Sequence, residues 1–161
     1  MPEFLSKNHF KKNLNLALIG MSGAGKSYWS KKMEKSGFRR YSCDNLIAER
    51  LGSELVNKGK STLNLAKWMG APYSDGYLEA ESLYLKLEEE VLTFICNELE
   101  NSSLQDEPVV VDTTGSLIYL NTDLLNRLRK LVMTVHLKIP TQKHKELFEA
   151  YLHEPKPVIW R

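Results

Sequence analysis

Gly20-Met21-Ser22-Gly23-Ala24-Gly25-Lys26-Ser27 puts three glycines, a lysine and a hydroxyl at a spacing suited to a polyphosphate. A phosphate chain needs many hydrogen-bond donors and no bulky side chains in the way, and glycines let backbone amides curl around it. A helix starting at the end of this stretch adds its positive dipole. Lys26 has the reach for β- and γ-phosphates, and the Ser27 hydroxyl is a magnesium ligand type. The nucleotide-binding set is therefore Gly20 through Ser27 together with Tyr28, the next residue of that helix. The same residues could form a glycine-rich turn before an ordinary helix, so the flanking elements decide.

Two carboxylates lie where such a loop could use them. Val109-Val110-Val111-Asp112 is an apolar run ending in an acid, the form of the second nucleotide motif of P-loop proteins, and Asp112 could hold magnesium through water. A helix cap would use the same carboxylate. Asp44 lies at the junction between a predicted strand and a predicted helix, facing the same crevice.

The elements that must position these groups follow from periodicity. Leu14–Ile19 has the length of a buried strand and stops at Gly20. Trp29, Met33 and the terminator Gly37 then predict a helix of about ten residues. A strand over about Phe38 to Cys43 leads to a helix carrying Leu46, Ile47 and Leu51, closed by Gly52. Ser61–Met69 reads as a helix broken by Gly70-Ala71-Pro72. Leu83, Leu87, Val91, Leu92, Ile95 and Leu99 predict a long amphipathic helix from about Tyr77 to Leu99 that covers one sheet face. A polar loop from Asn101 to Pro108 precedes the Val109 strand. A helix around Leu124 to Leu128, a strand from Leu131 to Ile139 and a helix from Thr141 to Leu152, with Thr141 as its cap, complete the chain. Strands alternating with helices imply an α/β, P-loop NTPase-like three-layer sandwich, its parallel sheet covered on both faces.

Composition narrows the class. At 161 residues the chain is about one domain long, and 42% hydrophobic with 26% charged residues is a composition that folds. Twenty-two basic against twenty acidic residues leave +2, so no whole-protein field points to nucleic acid or an anionic membrane. No stretch approaches a membrane span or a secretion signal. Cys43 and Cys96 lack metal or disulfide spacing, and His136, His144 and His153 share no ligand pattern. These features fit a cytoplasmic protein, monomeric by default. Residues 1–13 read as an N-terminal tail, in which Lys11 and Lys12 are a solvated end, and 14–161 as the domain. Trp29 and Trp68 read as packing residues, Trp160 as a candidate stacking residue, and Glu88-Glu89-Glu90 as a solvated helix face.

With these residues in hand, the chain resembles the shikimate kinase family of P-loop small-molecule kinases from about Leu14 to Pro157. GMSGAGKS looks like that family's loop. Asp44 through Gly52 is similar to the stretch in which an aspartate begins a helix, isoleucine follows three residues later and glycine closes it. The resemblance implies that Asp44 orients the acceptor hydroxyl and takes its proton; a structural helix cap is the alternative. VVVDTTGS resembles the strand and turn lining the family's substrate pocket, with Thr114, Gly115 and Ser116 where the family has three glycines, implying a narrower, more polar pocket. Lys156 before Pro157 stands where the family's lid carries an arginine. Leu85, in Tyr84-Leu85-Lys86-Leu87-Glu88, replaces the arginine that grips the substrate carboxylate, implying an acceptor other than shikimate. Ser42 stands for the family's first aspartate. The chain ends at Arg161, where the family continues toward its adenine pocket, implying a fragment or an incomplete nucleotide site. The resemblance thus implies ATP, magnesium and a small-molecule hydroxyl substrate, with Lys26 and Asp44 catalytic, Ser27 and Asp112 at the metal, and Asp44, Thr114, Gly115, Ser116 and Lys156 at the substrate. The alternative is a degenerate kinase that binds nucleotide without turnover and acts as a regulator or partner.

Overall fold

A computed structural model of the chain describes residues 14–52, 62–101, 107–153 and 156–159. The expected tail at 1–13, most of the 101–108 loop, Trp160 and Arg161 lie outside the described residues. The elements run β1 (Asn15–Ile19), α1 (Lys26–Lys35), β2 (Arg39–Ser42), α2 (Cys43–Leu51), α3 (Thr62–Met69), α4 (Tyr77–Glu100), β3 (Val109–Asp112), α5 (Thr122–Leu131), β4 (Met133–His136) and α6 (His144–His153). Short 3-10 turns occupy Leu117–Tyr119 and Thr141–Lys143.

The four strands form one parallel sheet in the order β2-β3-β1-β4. Strand alternation sorts its two faces. Leu16 and Leu18 of β1 and Val110 of β3 pack with Phe38 and the half-buried Met33 of α1. Ala17, Val109 and Val111 point the other way, into a larger core with Ile47, Leu65, Tyr84, Val91, Leu92 and Ile95 from α2, α3 and α4. The result is three layers: α1, the sheet, and the helices from α2 to α5. The chain leaves β1 toward β2 and later crosses β1 to reach β4, so the switch point lies beyond the carboxyl ends of β1 and β3, where open α/β sheets hold ligands.

Two predicted elements differ. β4 is shorter than the Leu131–Ile139 run, because Leu131 closes α5 and the edge strand pairs only over Met133–His136, with Met133 and His136 exposed. Thr141 begins a 3-10 turn and caps no helix through its side chain; Pro140 precedes that turn and α6 starts at His144.

Candidate functional site

The loop between β1 and α1 owes its path to its glycines. Gly20, Gly23 and Gly25 have φ of 144°, 83° and 90°, a region side-chain-bearing residues rarely adopt. A Cβ at Gly20 would lie 2.6 Å from the carbonyl oxygen of Leu137, so the continuation of β4 closes against the start of the loop. Gly25 is the N-cap of α1, and Lys26 opens that helix. The Lys26 ammonium folds back over the loop, donating to the carbonyls of Gly20 at 2.7 Å and Met21 at 2.9 Å. Burial pushes its pKa below the ordinary lysine value, opposed by the carboxylates of Asp44 and Asp112. Ser27 is exposed in the first turn of α1. Tyr28 and Trp29 meet edge to face at 5.5 Å with the Lys32 ammonium over both rings. Trp29 is 43% exposed beside the loop, so it is no packing residue, whereas Trp68 is half-buried against the main core.

Asp44 is the second residue of α2, carried to the crevice by the end of β2. It accepts a hydrogen bond from the Tyr84 hydroxyl at 3.1 Å. Burial raises its carboxyl to about 6, against the lowering effect of that hydrogen bond. The N-cap of α2 is Ser42, so Asp44 is not the capping residue. Cys43 beside it is a buried free thiol pushed well up by burial.

Asp112 ends β3 and is 4% exposed. One of its oxygens accepts from Arg40 at 2.7 Å and from the Ser30 hydroxyl at 3.0 Å, and Arg40 Nε donates to the same hydroxyl at 2.7 Å. No helix starts at Asp112, so the carboxylate is not a helix cap. Arg40 was absent from the sequence-derived site. Its signal is a charged residue inside a short strand, one strand position before Tyr41 of the core, whose charge requires a buried partner.

The turn after β3 carries the second unforeseen group. Thr113 donates to the Leu18 carbonyl at 2.7 Å, while Thr114 and Ser116 both donate to Glu88, Ser116 at 2.6 Å. Glu88 is 2% exposed, not part of a solvated face. It lies four residues after Tyr84 and four before Leu92, on the buried stripe of α4, a spacing that marks it as inward-facing. Burial lifts its carboxyl to about 7 despite the two hydroxyl donors. Both hydroxyls are given to Glu88, while Ser116 also lines the neighbouring cavity. Gly115 packs closely on the glycine loop: a Cβ there would sit 3.2 Å from the Ser22 amide nitrogen, tighter than most such contacts.

Between the loop and this turn opens a cavity of about 580 Å³, walled by Met21 to Gly23, by Gly115 and Ser116, by α6 and by 156–159. Lys156 lies on its wall, close enough to Lys26 and Asp44 to act on both electrostatically. Of the residues expected at the site, Met21 to Gly23, Gly115, Ser116 and Lys156 wall the cavity, and Lys26 lies within electrostatic reach of Asp44, Asp112 and Lys156; Thr114 is turned to Glu88 behind the wall and Tyr28 is exposed on α1. Among the described residues no group of three or more His, Cys, Asp or Glu side chains could hold a metal, and no helix is long and apolar enough to cross a membrane.

No protein-family model matches the sequence, and no curated protein matches it by sequence. Among solved structures, the chain is similar to a shikimate kinase from Acinetobacter baumannii in complex with shikimate, at a TM-score of 0.58 and 18% identity, over 88% of this chain and 68% of that one. At that identity the likeness shows the fold alone: an α/β domain with a parallel four-stranded sheet between helices, arranged as in that structure.

Proposed function

We propose that this protein transfers the γ-phosphoryl group of ATP to the hydroxyl of a small molecule. The observation that carries the reading is the loop itself: glycines at positive φ deliver the chain to a helix start, and Lys26 is folded over a loop whose Met21 to Gly23 wall the cavity. The residues fit a nucleotide phosphate chain. Backbone amides from Gly20 to Ser27 and the start of α1 at Tyr28 would hold it, and the Lys26 ammonium exchanges carbonyl partners for phosphate oxygens. ATP with magnesium supplies an activated phosphoryl group when bound. Ser27 fits a magnesium ligand, being exposed at the first turn, and Asp112 would act only through water, since Arg40 and Ser30 share one of its oxygens. Asp44 receives the acceptor proton, its carboxyl raised toward the range useful to a general base. Lys156 adds positive charge beside the transferring group, as a point charge rather than a guanidinium fork. Gly115 and Ser116 wall the acceptor.

The Arg40–Asp112 ion pair favours a second reading, a nucleotide-binding module without turnover, because a carboxylate already neutralised is a weak partner for a metal. Calorimetry with ATP and magnesium, followed by a coupled ADP-release assay over hydroxylated compounds, separates the two. ATP binding together with acceptor-dependent ADP release is expected. ATP binding with no phosphorylated product leaves the module, and no nucleotide binding sinks both.

A further inference from the structure

The cavity beside the glycine loop has a lining unlike that of a site for a charged acid. α6 has no buried residue, and its apolar side chains Leu147, Phe148 and Tyr151 face the cavity instead of a core. Phe148 is 56% exposed and Tyr119, which also lines the cavity, 36%. Pro157 and Ile159 are buried and bring Val158 to the same space, with the Val158 carbonyl accepting from the Tyr77 hydroxyl at 3.4 Å. Concave apolar walls of about this volume, broken by a few polar groups, are the usual form of a small-molecule pocket.

The charges around it disfavour an anion. Among the described residues Lys156 is the only lysine or arginine on the wall; it is exposed and close enough to Lys26 and Asp44 to act on both electrostatically. His144 is the other basic side chain there, exposed at the start of α6. Behind the Gly115–Ser116 wall stands the Glu88 carboxyl, to which the hydroxyls of Thr114 and Ser116 are already given. A carboxylate taken into this space would give up part of its water and, among the described residues, meet no fork-shaped cation in exchange.

We infer that this cavity takes an uncharged alcohol carried on an apolar or aromatic body, its ring against Tyr119, Phe148 and Tyr151. The inference rests on the phosphotransferase reading for the hydroxyl's fate. The alcohol oxygen forms the new bond to the γ-phosphorus, the bond from that phosphorus to the bridging oxygen of ADP breaks, ADP leaves with that electron pair, and the hydroxyl proton passes to the Asp44 carboxylate.

Matched pairs differing by one carboxylate test it: benzyl alcohol against 4-(hydroxymethyl)benzoate, and cyclohexylmethanol against its 4-carboxylate. Ligand-detected NMR on the full chain measures binding, and ADP release with ATP and magnesium measures transfer. The neutral member of each pair is expected to bind about ten-fold more tightly than its acid. Phe148→Ala, at an exposed position, is expected to weaken the neutral ligands by a similar factor while leaving the melting temperature in place. Equal or tighter binding of the acids, no binding by either member, or an unchanged affinity in Phe148→Ala overturns the inference. Preferential binding of the neutral members without ADP release upholds the assignment of the cavity and overturns the phosphotransferase reading instead.

Discussion

Burial lifts the Asp44 carboxyl to about 6, so the proton acceptor of the proposed transfer is ionised at neutral pH and is lost as the pH falls through that value. The rate is expected to decline about ten-fold per pH unit below 6, and Asp44→Asn to lower kcat by about 10²–10⁴ and abolish that acid limb. A pH–rate profile of both proteins checks this, and a limb that survives in the variant rules out the assignment. Glu88 titrates in the fold rather than in the chemistry. Its carboxyl rises from 4.5 to about 7 on burial, so the folded state holds the proton more tightly. Its contribution to stability is full below pH 4.5 and is lost as pH rises toward 7, an effect on the order of 3 kcal/mol. Urea unfolding across that window should show a shallower decline for Glu88→Gln than for the parent; parallel curves would rule the shift out. Arg40 and Glu88 show what was hard to read at this scale: a charged residue in a short segment announces burial only through its partners, which come from other elements.

The ion pair between β2 and β3 is the clearest case of elements constraining one another. Register places Ser42 opposite Asp112, so Arg40, two residues back on the same face, reaches the carboxylate while Ser30 of α1 closes the triangle. Removing one charge leaves the other buried and unpaired, so Arg40→Ala is expected to cost about 3–5 kcal/mol, whereas the double change Arg40→Met with Asp112→Leu should cost less than the single one. Denaturant midpoints of the two variants decide it, and a double variant less stable than Arg40→Ala would count against the pairing. The strands and helices themselves were legible, because β1 and β3 are continuous apolar runs and α4 carries a helical spacing of apolar residues. β4 was read too long because an exposed edge strand lacks the pattern that marks a buried one.

At the scale of the whole molecule, the glycine loop after β1, Asp44 just after β2 and Asp112 at the end of β3 all lie toward the carboxyl ends of the strands. A ligand that binds only this assembled arrangement stabilises the fold by mass action. ATP with magnesium at about 100 times its Kd should add about 2.7 kcal/mol, a rise in melting temperature of roughly 5–10 °C. Thermal unfolding with and without nucleotide measures this, and Lys26→Met is expected to remove most of the rise. An unchanged melting temperature at saturating nucleotide would contradict the proposed site.

The sequence by itself determined the glycine loop between β1 and α1, the alternation of strands and helices, and the positions of Asp44 just after β2 and Asp112 at the end of β3, because local spacing and backbone freedom encode all of these. Only the tertiary structure decided that Asp112 is shared with Arg40 and Ser30, that Glu88 is buried under the Thr114 and Ser116 hydroxyls, and that α6 turns its apolar stripe to a cavity rather than a core. Each of those facts depends on atoms brought together from segments far apart in the chain, where burial and partner geometry, rather than residue type, set a group's charge and its use.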